Sequence, residues 1–562
     1  MYADFYAELI KEIIASSPNK DRLGSLKHQL CKKYKIARPP TDIDILIRTP
    51  DEQRAAVMPF LQSKPVRTAS GVVPIAVMTK PLPCPHGKCT FCPGGPGSVY
   101  GDVPQSYTGR EPSTMRALRN LYDPYLIVMN RLEQYTLLGH AQDKVELILQ
   151  GGTFPAMDVA YQEEVVCDAL SGLNDFGELF FTADGSLDVL KFKTLFALPG
   201  PIGDTQRMAG VHERLLAVKN KEKRTLETEQ ERNETARIRC VGLTIETKPD
   251  WGKLSHGNEM LRLGCTRVEV GVQSVYDDVL HRTHRGHTFA DTLECFAILK
   301  DLGFKITAHY MPGLPLTDRE RDLAGMRQLF TDAGLKPDQL KIYPCMVAPG
   351  TPLYIEYQRG TFVPITADEA ALRISTFKKD VPEYCRILRV NRDVPTTQWA
   401  AGVEMTNLRQ HMDKKFPVEC RCIRCREPKG EVSDQVELVV DEYDSSGGTE
   451  FFFHYEDKKN DAILGFCRMR YPPRSLRTEI TTDSALIREL HVYGQATALG
   501  AEGSVQHKGL GKKLMAEAES RARRDGKKKM VVISGIGVRE YYAKLGYRRE
   551  GPYMVKNLQT LD

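Results

Sequence analysis

From Gly71 onward the chain alternates short β-branched runs with longer stretches of helical periodicity, and this alternation restricts the fold more than any other feature. Parallel strands need crossovers of a dozen or more residues, usually helical, so runs spaced in this way predict stacked βα units. The candidate strands are 72–78, 145–149, 239–245, 267–272, 304–309 and 340–343. Six such strands predict an α/β fold built on a partial TIM-type (β/α)6 barrel, with its chemistry in the loops at the C-terminal strand ends. Those loops, at 84–96, 151–155, 246–250, 273–274 and 311–315, hold the unusual residues.

The first loop reads Cys84-Pro85-His86-Gly87-Lys88-Cys89-Thr90-Phe91-Cys92, three thiols directly before the turn Pro93-Gly94-Gly95-Pro96-Gly97. Most iron–sulfur clusters take four cysteines, so a triplet leaves one iron open to another ligand. A zinc site is the alternative, but His86 would then have to supply the fourth ligand from inside a cramped loop. The paired glycines of Gln150-Gly151-Gly152-Thr153 expose backbone to a polar ligand, although such a pair alone is usually a turn. Glu246 and Gln273 each end an apolar strand. Ordinary solvation explains either one; beside the thiol triplet they describe a cofactor shell.

A second triplet, Cys420, Cys422 and Cys425, lies in a polar segment and suggests a structural zinc staple. The fourth ligand stays open among His411, Cys345 and water, and surface cysteines without metal are the alternative. Six of the 14 cysteines fall in these two clusters, which favours reduced thiols over disulfides. After about Val432 the pattern changes to strands, a glycine-marked helix and more strands. There, Ile487-Arg488-Glu489-Leu490-His491-Val492-Tyr493-Gly494 reads as a strand, and Gln506-His507-Lys508-Gly509-Leu510-Gly511-Lys512-Lys513-Leu514 as a turn entering a helix. That is the order a phosphate cradle needs, because helix N-terminal N–H groups and the helix dipole both favour an anion. These changes divide the chain into a basic helical arm (1–70), a barrel (71–400), a metal-binding linker (401–431) and a C-terminal domain (432–562).

The net charge of +5 is modest, but residues 19–38 hold seven Lys or Arg against one Asp. With the later run Arg521, Arg523, Arg524, Lys527, Lys528 and Lys529, this suggests RNA phosphate contacts, solvated helices being the plainer reading. Phe5, Leu9 and Ile13 predict short amphipathic helices in the arm, broken at Pro39-Pro40. The charged stretch 200–237 reads as a solvated helical insertion. Glu8 and Glu12 stand where a signal peptide would be basic, and no apolar run approaches about 18 residues, so a cytoplasmic protein is expected.

Taken together, the motifs resemble the catalytic-subunit family of Elongator, which joins a radical S-adenosylmethionine (SAM) barrel to a GNAT-like acetyltransferase domain. The Cys-x4-Cys-x2-Cys spacing resembles its bacterial and archaeal members, eukaryotic ones having a longer first gap. Gln105-Ser106-Tyr107-Thr108-Gly109, Glu111-Pro112, Gly551-Pro552-Tyr553-Met554-Val555-Lys556 and the second cysteine triplet extend the likeness over nearly the whole chain.

The resemblance implies a [4Fe-4S] cluster on Cys84, Cys89 and Cys92, with SAM near Gly151, Gly152, Glu246 and Gln273. It also implies acetyl-CoA near Lys144, Glu489, Leu490, His491, Val492, Gln506, Gly509, Leu510, Gly511, Lys512 and Tyr542, and zinc on Cys420, Cys422 and Cys425. The catalytic residues it implies are His491, Tyr541, Tyr542, Lys248 and Tyr343, with Lys248, Tyr343 and Arg285 as candidates for reading the flipped base. The implied reaction uses a 5'-deoxyadenosyl radical to activate the acetyl methyl for addition to carbon 5 of a tRNA wobble uridine, leaving 5-carboxymethyluridine. tRNA is the implied partner; accessory subunits of the Elongator type and a homodimer stay open. The rival readings are a protein lysine acetyltransferase with a structural cluster and a tRNA-binding assembly subunit.

Overall fold

The computed structural model describes residues 2–61, 71–200, 204–493 and 509–559. The N-terminal arm has four helices: α1 (Tyr2–Ser16), α2 (Lys20–Lys33), α3 (Asp42–Arg48) and α4 (Asp51–Leu61). Phe5, Leu9 and Ile13 meet Leu23, Leu30, Ile45 and Leu46 in a small core of their own. Asn19 caps the start of α2 and Thr41 closes a capping box on α3, so the Pro39-Pro40 segment, which follows the end of α2, leads directly into a fixed helix start. Part of the basic stretch is structural: Lys27 and Lys20 pair with Asp42 at 2.6 and 3.2 Å, and Lys33 with Glu8 at 2.6 Å. Arg22, Lys32, Lys35 and Arg38 are exposed.

The barrel strands are β1 (Val73–Met78), β4 (Lys144–Gln150), β5 (Arg239–Thr247), β6 (Arg267–Gln273), β7 (Lys305–Tyr310), β8 (Gln339–Ile342) and β9 (Arg386–Arg389). A small ribbon of β2 (Gly95–Ser98) and β3 (Gly101–Val103) stands between the first two. The seven barrel strands form one parallel sheet in chain order. Six were expected; β9, only four residues long and flanked by arginines, gives no β-branched run to find. On β4, Val145, Leu147 and Leu149 are buried, whereas Lys144, Glu146, Ile148 and Gln150 on the other face are half-buried. Successive side chains of a strand alternate between faces, so one set packs under the helices and the other faces the concavity.

The stretch 200–237 departs from expectation. Its helices, Thr205–Lys219 and Leu226–Thr235, form part of the barrel wall, and Asn233 is fully buried. Asn233 donates to Asn174 Oδ1 and accepts from Cys240 N, both at 2.7 Å, which ties this helix to β5. Glu229, also buried, accepts from Asn174 and Arg232. A helix can be polar in composition and still be interior when its polar groups find such partners.

The C-terminal sheet runs β10-β11-β12-β13-β14-β16-β15, from β10 (Val436–Ser445), β11 (Gly448–Asp457), β12 (Ala462–Tyr471), β13 (Ser484–Val492), β14 (Lys529–Val532), β15 (Arg548–Glu550) and β16 (Tyr553–Asn557). Strands β13 and β14 pair in parallel only as far as Ile487↔Val532, and β13 then continues to Val492 paired with β12 alone. The helix Leu510–Arg524 starts at this parting, with Gly511 against Leu490 and Val492. This domain docks on the N-terminal ends of the barrel strands. Lys305 at the start of β7 pairs with Glu489 at 2.6 Å, Arg239 at the start of β5 with Glu540 at 3.0 Å, and Arg386 at the start of β9 donates to Tyr493 at 2.5 Å.

Candidate active site

The first cysteine loop follows β1 at the opposite end of the barrel and is fastened by the residues just after the ribbon. Gln105 Oε1 accepts from Cys84 N at 2.7 Å, its Nε2 donates to Gly87 O at 3.3 Å, and Ser106 N donates to Cys92 Sγ at 3.1 Å. Tyr107 donates to Glu246 at 3.2 Å, which joins the cysteine loop to the end of β5. A zinc cage would need its ligand atoms within about 4.6 Å of one another, since each lies about 2.3 Å from one ion. Cys420, Cys422 and Cys425 lie within 4.8 Å of one another, close to that limit; among the described residues Cys84, Cys89 and Cys92 form no such group, which suits a multi-iron cluster.

The surroundings of the loop are cationic. Arg285 donates to Cys89 Sγ at 3.3 Å and to Gly271 O at 2.8 Å, and is buried. Lys248, also buried, pairs with Asp250 at 3.2 Å, and burial lowers its pKa. Both were expected as candidates for reading the flipped base; they lie buried at the thiol-loop rim of the barrel, with Arg285 aimed at a thiol. Tyr343 lies inside the barrel, edge-on to His309 at 5.6 Å.

At the end of β4, Gly151 and Gly152 have φ of +132° and +108°, and a Cβ on Gly151 would collide with Thr79 Oγ1. Thr79 Oγ1, His86 Nδ1, Gln150 Oε1 and Gln273 Oε1 are buried without a hydrogen-bond partner among the described residues. Unpaired buried polar atoms are rare, and four at one strand-end rim fit a polar ligand of the SAM type. Glu246 is pushed up to about 7 by burial, against the attraction of Lys341. Below it in the concavity is a charged network that the sequence reading missed. Arg267 pairs with Glu146 at 2.7 Å, Glu269 with His309 at 3.0 Å, and Lys341 with Glu269. The available signal was two charged residues two apart on valine-rich β6, Arg267 and Glu269.

At the other end, Glu489 is drawn down to about 2: burial opposes its charge, but Lys305 and Arg468 overcome it. Burial lowers His491 to about 4, so its imidazole is neutral near pH 7; Nε2 has no partner among the described residues, and the ring stacks on Phe466 at 5.5 Å. Gly509 takes φ +75° at the N-cap of the helix that carries Leu510, Gly511 and Lys512. The sequence did not separate two adjacent tyrosines. Tyr542 is buried in the domain's apolar core with Leu514 and Met530, whereas Tyr541 Oη lies 3.0 Å from where a Gly511 Cβ would stand. Lys144 is paired in register with Arg239, at the same end of the barrel as this cradle. Gln506 lies outside the described residues.

In the second triplet, Cys422 and Cys425 sulfurs are 3.6 Å apart and all three fall within 4.8 Å of one another. His411 is engaged with Asp368 at 2.7 Å, and Cys345 sits in an apolar cluster with Met311 and Leu314, so neither joins the thiols.

Family models match residues 2–69 (ELP3 N-terminal domain), 205–325 (Radical SAM superfamily), 337–416 (Radical SAM C-terminal domain) and 494–559 (acetyltransferase (GNAT) domain). The chain is 43% identical over 557 residues to the tRNA uridine(34) acetyltransferase of Methanocaldococcus infernus, covering 96% of each. It is 38% identical over 581 residues to Elongator complex protein 3 of Saccharomyces cerevisiae, covering 99% of this chain and 95% of that one. A solved structure of the archaeal Methanocaldococcus infernus Elp3 with its first 46 residues deleted matches with a TM-score of 0.70 at 38% identity. It covers 87% of this chain and 100% of that one. Fold and site thus define a radical SAM barrel carrying a GNAT domain. Within that class, the chain belongs to the Elp3 family. Among the described residues, no helix is long and apolar enough to cross a membrane.

Proposed function

We propose that this chain is a tRNA-modifying acyltransferase that converts wobble uridine to 5-carboxymethyluridine with SAM and acetyl-CoA. The observation that carries this reading is one polypeptide with a three-thiol loop at one end of a barrel and an acetyl-CoA-type cradle docked on the other. When bound, a [4Fe-4S] cluster and SAM would supply a 5'-deoxyadenosyl radical able to take a hydrogen atom from the acetyl methyl, and the cluster would take back the one electron released when the C5–H of uridine is exchanged for a C5–C bond and its hydrogen leaves as a proton; hydrolysis of the thioester would then free the carboxymethyl group.

The protein's own part is to hold, orient and shield. Cys84, Cys89 and Cys92 hold the cluster, with Arg285 neutralising thiolate charge at Cys89. Gly151, Gly152, Glu246 and Gln273 bind the amino and carboxylate groups of SAM. Residues 489–492, Gly509 to Lys512 and Lys144 hold acetyl-CoA, with Tyr541 at the turn. His491, neutral at physiological pH, lines the cradle and offers its ring nitrogen to the bound acetyl-CoA. Cys420, Cys422 and Cys425 hold a structural zinc ion. The anticodon stem-loop of tRNA is the partner, met in part by Arg22, Lys32, Lys35 and Arg38. The names of the archaeal relatives support this substrate. A protein lysine acetyltransferase is not favoured, because it has no use for the thiol triplet.

The test is anaerobic reconstitution with iron and sulfide, followed by assay of 5'-deoxyadenosine and modified uridine with SAM, reductant, acetyl-CoA and tRNA. Product that vanishes in Cys89→Ala is expected. Intact SAM over a confirmed cluster, together with acetylation of a lysine peptide, would replace this reading with the acetyltransferase.

A further inference from the structure

The two candidate ligand sites stand at opposite ends of the barrel. Lys144, Lys305 and Arg239 start their strands beside the acetyl-CoA cradle, whereas Gly151, Glu246 and Gln273 end theirs beside the thiol loop. Six residue steps along β4 at about 3.3 Å each make the separation about 20 Å, too far for an acetyl group resting in the cradle to meet a radical at the other rim. Some part of the molecule has to span that distance.

Domain motion does not span it. The join between the two domains is a lattice of charges closed to water. Arg470 pairs with Asp301 at 2.6 Å and Glu450 at 2.9 Å, and Arg488 with Asp338 at 2.5 Å and Glu450 at 3.0 Å, all essentially unexposed. Parting it would leave buried charges unpaired, which costs several kcal/mol for each ion.

The concave face of the barrel is different. Lys144, Glu146, Ile148 and Gln150, the successive inward residues of β4, are each partly exposed from one end of the strand to the other. Gly242 on β5 and His309 on β7 are partly exposed as well. Gly242 widens this space: a Cβ there would lie 3.7 Å from Thr266 Oγ1 and 3.8 Å from Glu146 Cγ, so a side chain fits and would fill it. The β4 side of the concavity is therefore partly exposed along its whole height, whereas Thr244, Glu269 and Thr307 on the neighbouring strands are buried, and the exposed groups, amphipathic stems and carboxylates, suit a chain of alternating methylenes and amides.

We propose that the pantetheine arm of acetyl-CoA threads this concavity, along β4 and β5, and carries its acetyl group from the cradle to the SAM rim. The arm, extended with its acetyl group, is of the same order of length as the wall. This inference rests on the reaction reading above for its purpose, though not for its geometry.

Two variants test it. Ile148→Trp fills the middle of the passage and leaves both rims untouched. With deuterated acetyl-CoA and tRNA, its deuterium transfer into 5'-deoxyadenosine should fall at least about tenfold, while SAM and acetyl-CoA each still bind. In Ile148→Cys, a far smaller change, alkylation of residue 148 followed by peptide mass spectrometry should slow when acetyl-CoA is present. Wild-type deuterium transfer in Ile148→Trp, or labelling of Ile148→Cys indifferent to saturating acetyl-CoA, would overturn the proposal. The labelling needs no turnover, so it decides the path of the arm even if the wild-type enzyme makes no modified uridine.

Discussion

A carboxyl at about 7 is half ionised near neutrality, and Glu246 holds that value because burial outweighs the pull of Lys341. If its carboxylate receives the amino group of SAM, affinity should strengthen as pH rises from about 6 to 8, the ionised form being present above its pKa. Equilibrium dialysis across that range should show this slope in the wild type and a flat, weaker response in Glu246→Gln. The neighbouring tyrosines give a second contrast. Tyr542→Ala empties a core position and should cost about 3–5 kcal/mol in urea unfolding. Tyr541→Phe should leave unfolding unchanged and weaken acetyl-CoA use, as kinetics on otherwise intact enzyme would show. At this scale the sequence revealed residues with unusual local patterns, such as the thiol triplet and Gly151-Gly152. It did not reveal that Arg285 turns inward to Cys89, or that Tyr541 and not Tyr542 faces the turn, because side-chain direction is settled by tertiary packing.

Among the elements, strands with β-branched runs were legible and those without were not. Strand β9 is found only by its register with β8, and the helix Leu226–Thr235 looked solvated because its buried amide and carboxylate partners come from elsewhere in the chain. The second cysteine triplet comes a helix later than β9 in the chain but returns to it, because Ile423 N donates to Cys385 O at 3.0 Å and so fastens the loop to the strand's N-terminal approach. A metal at this loop should stabilise the fold by binding the native form alone. Chelation, or Cys422→Ala, should therefore lower the melting temperature and release about one zinc per chain, read by calorimetry and metal analysis. An unchanged melting curve after complete metal removal would make the triplet three ordinary thiols.

Across the whole molecule, the C-terminal domain is bound to the barrel by charges rather than by an apolar face alone. Asp301 and Asp338 belong to the barrel, while Arg468, Arg470 and Arg488 belong to the C-terminal sheet, so each side supplies what the other leaves unpaired. Asp338 is held well below the usual carboxylate range; burial opposes its charge, but Arg488 and Arg468 prevail. Such a group adds stability that is present above its unfolded pKa and lost on acidification, and Glu489, drawn from 4.5 to about 2, behaves alike. The join should accordingly weaken as pH falls from about 4.5 toward 2, seen as increased proteolysis between the domains. Arg488→Met removes one cation and leaves Asp338 and Glu450 buried with less compensation, so it should cost about 3–5 kcal/mol. Restoring neutrality with Asp338→Asn beside it should recover part of that loss, because the penalty lies in the unpaired charge and not in the missing arginine. By the same reasoning, residues 432–562 expressed alone would expose three arginines evolved for burial, and should lack a cooperative unfolding transition. A sharp transition in that fragment would mean that the domain carries its own fold and that the charges serve only to position it.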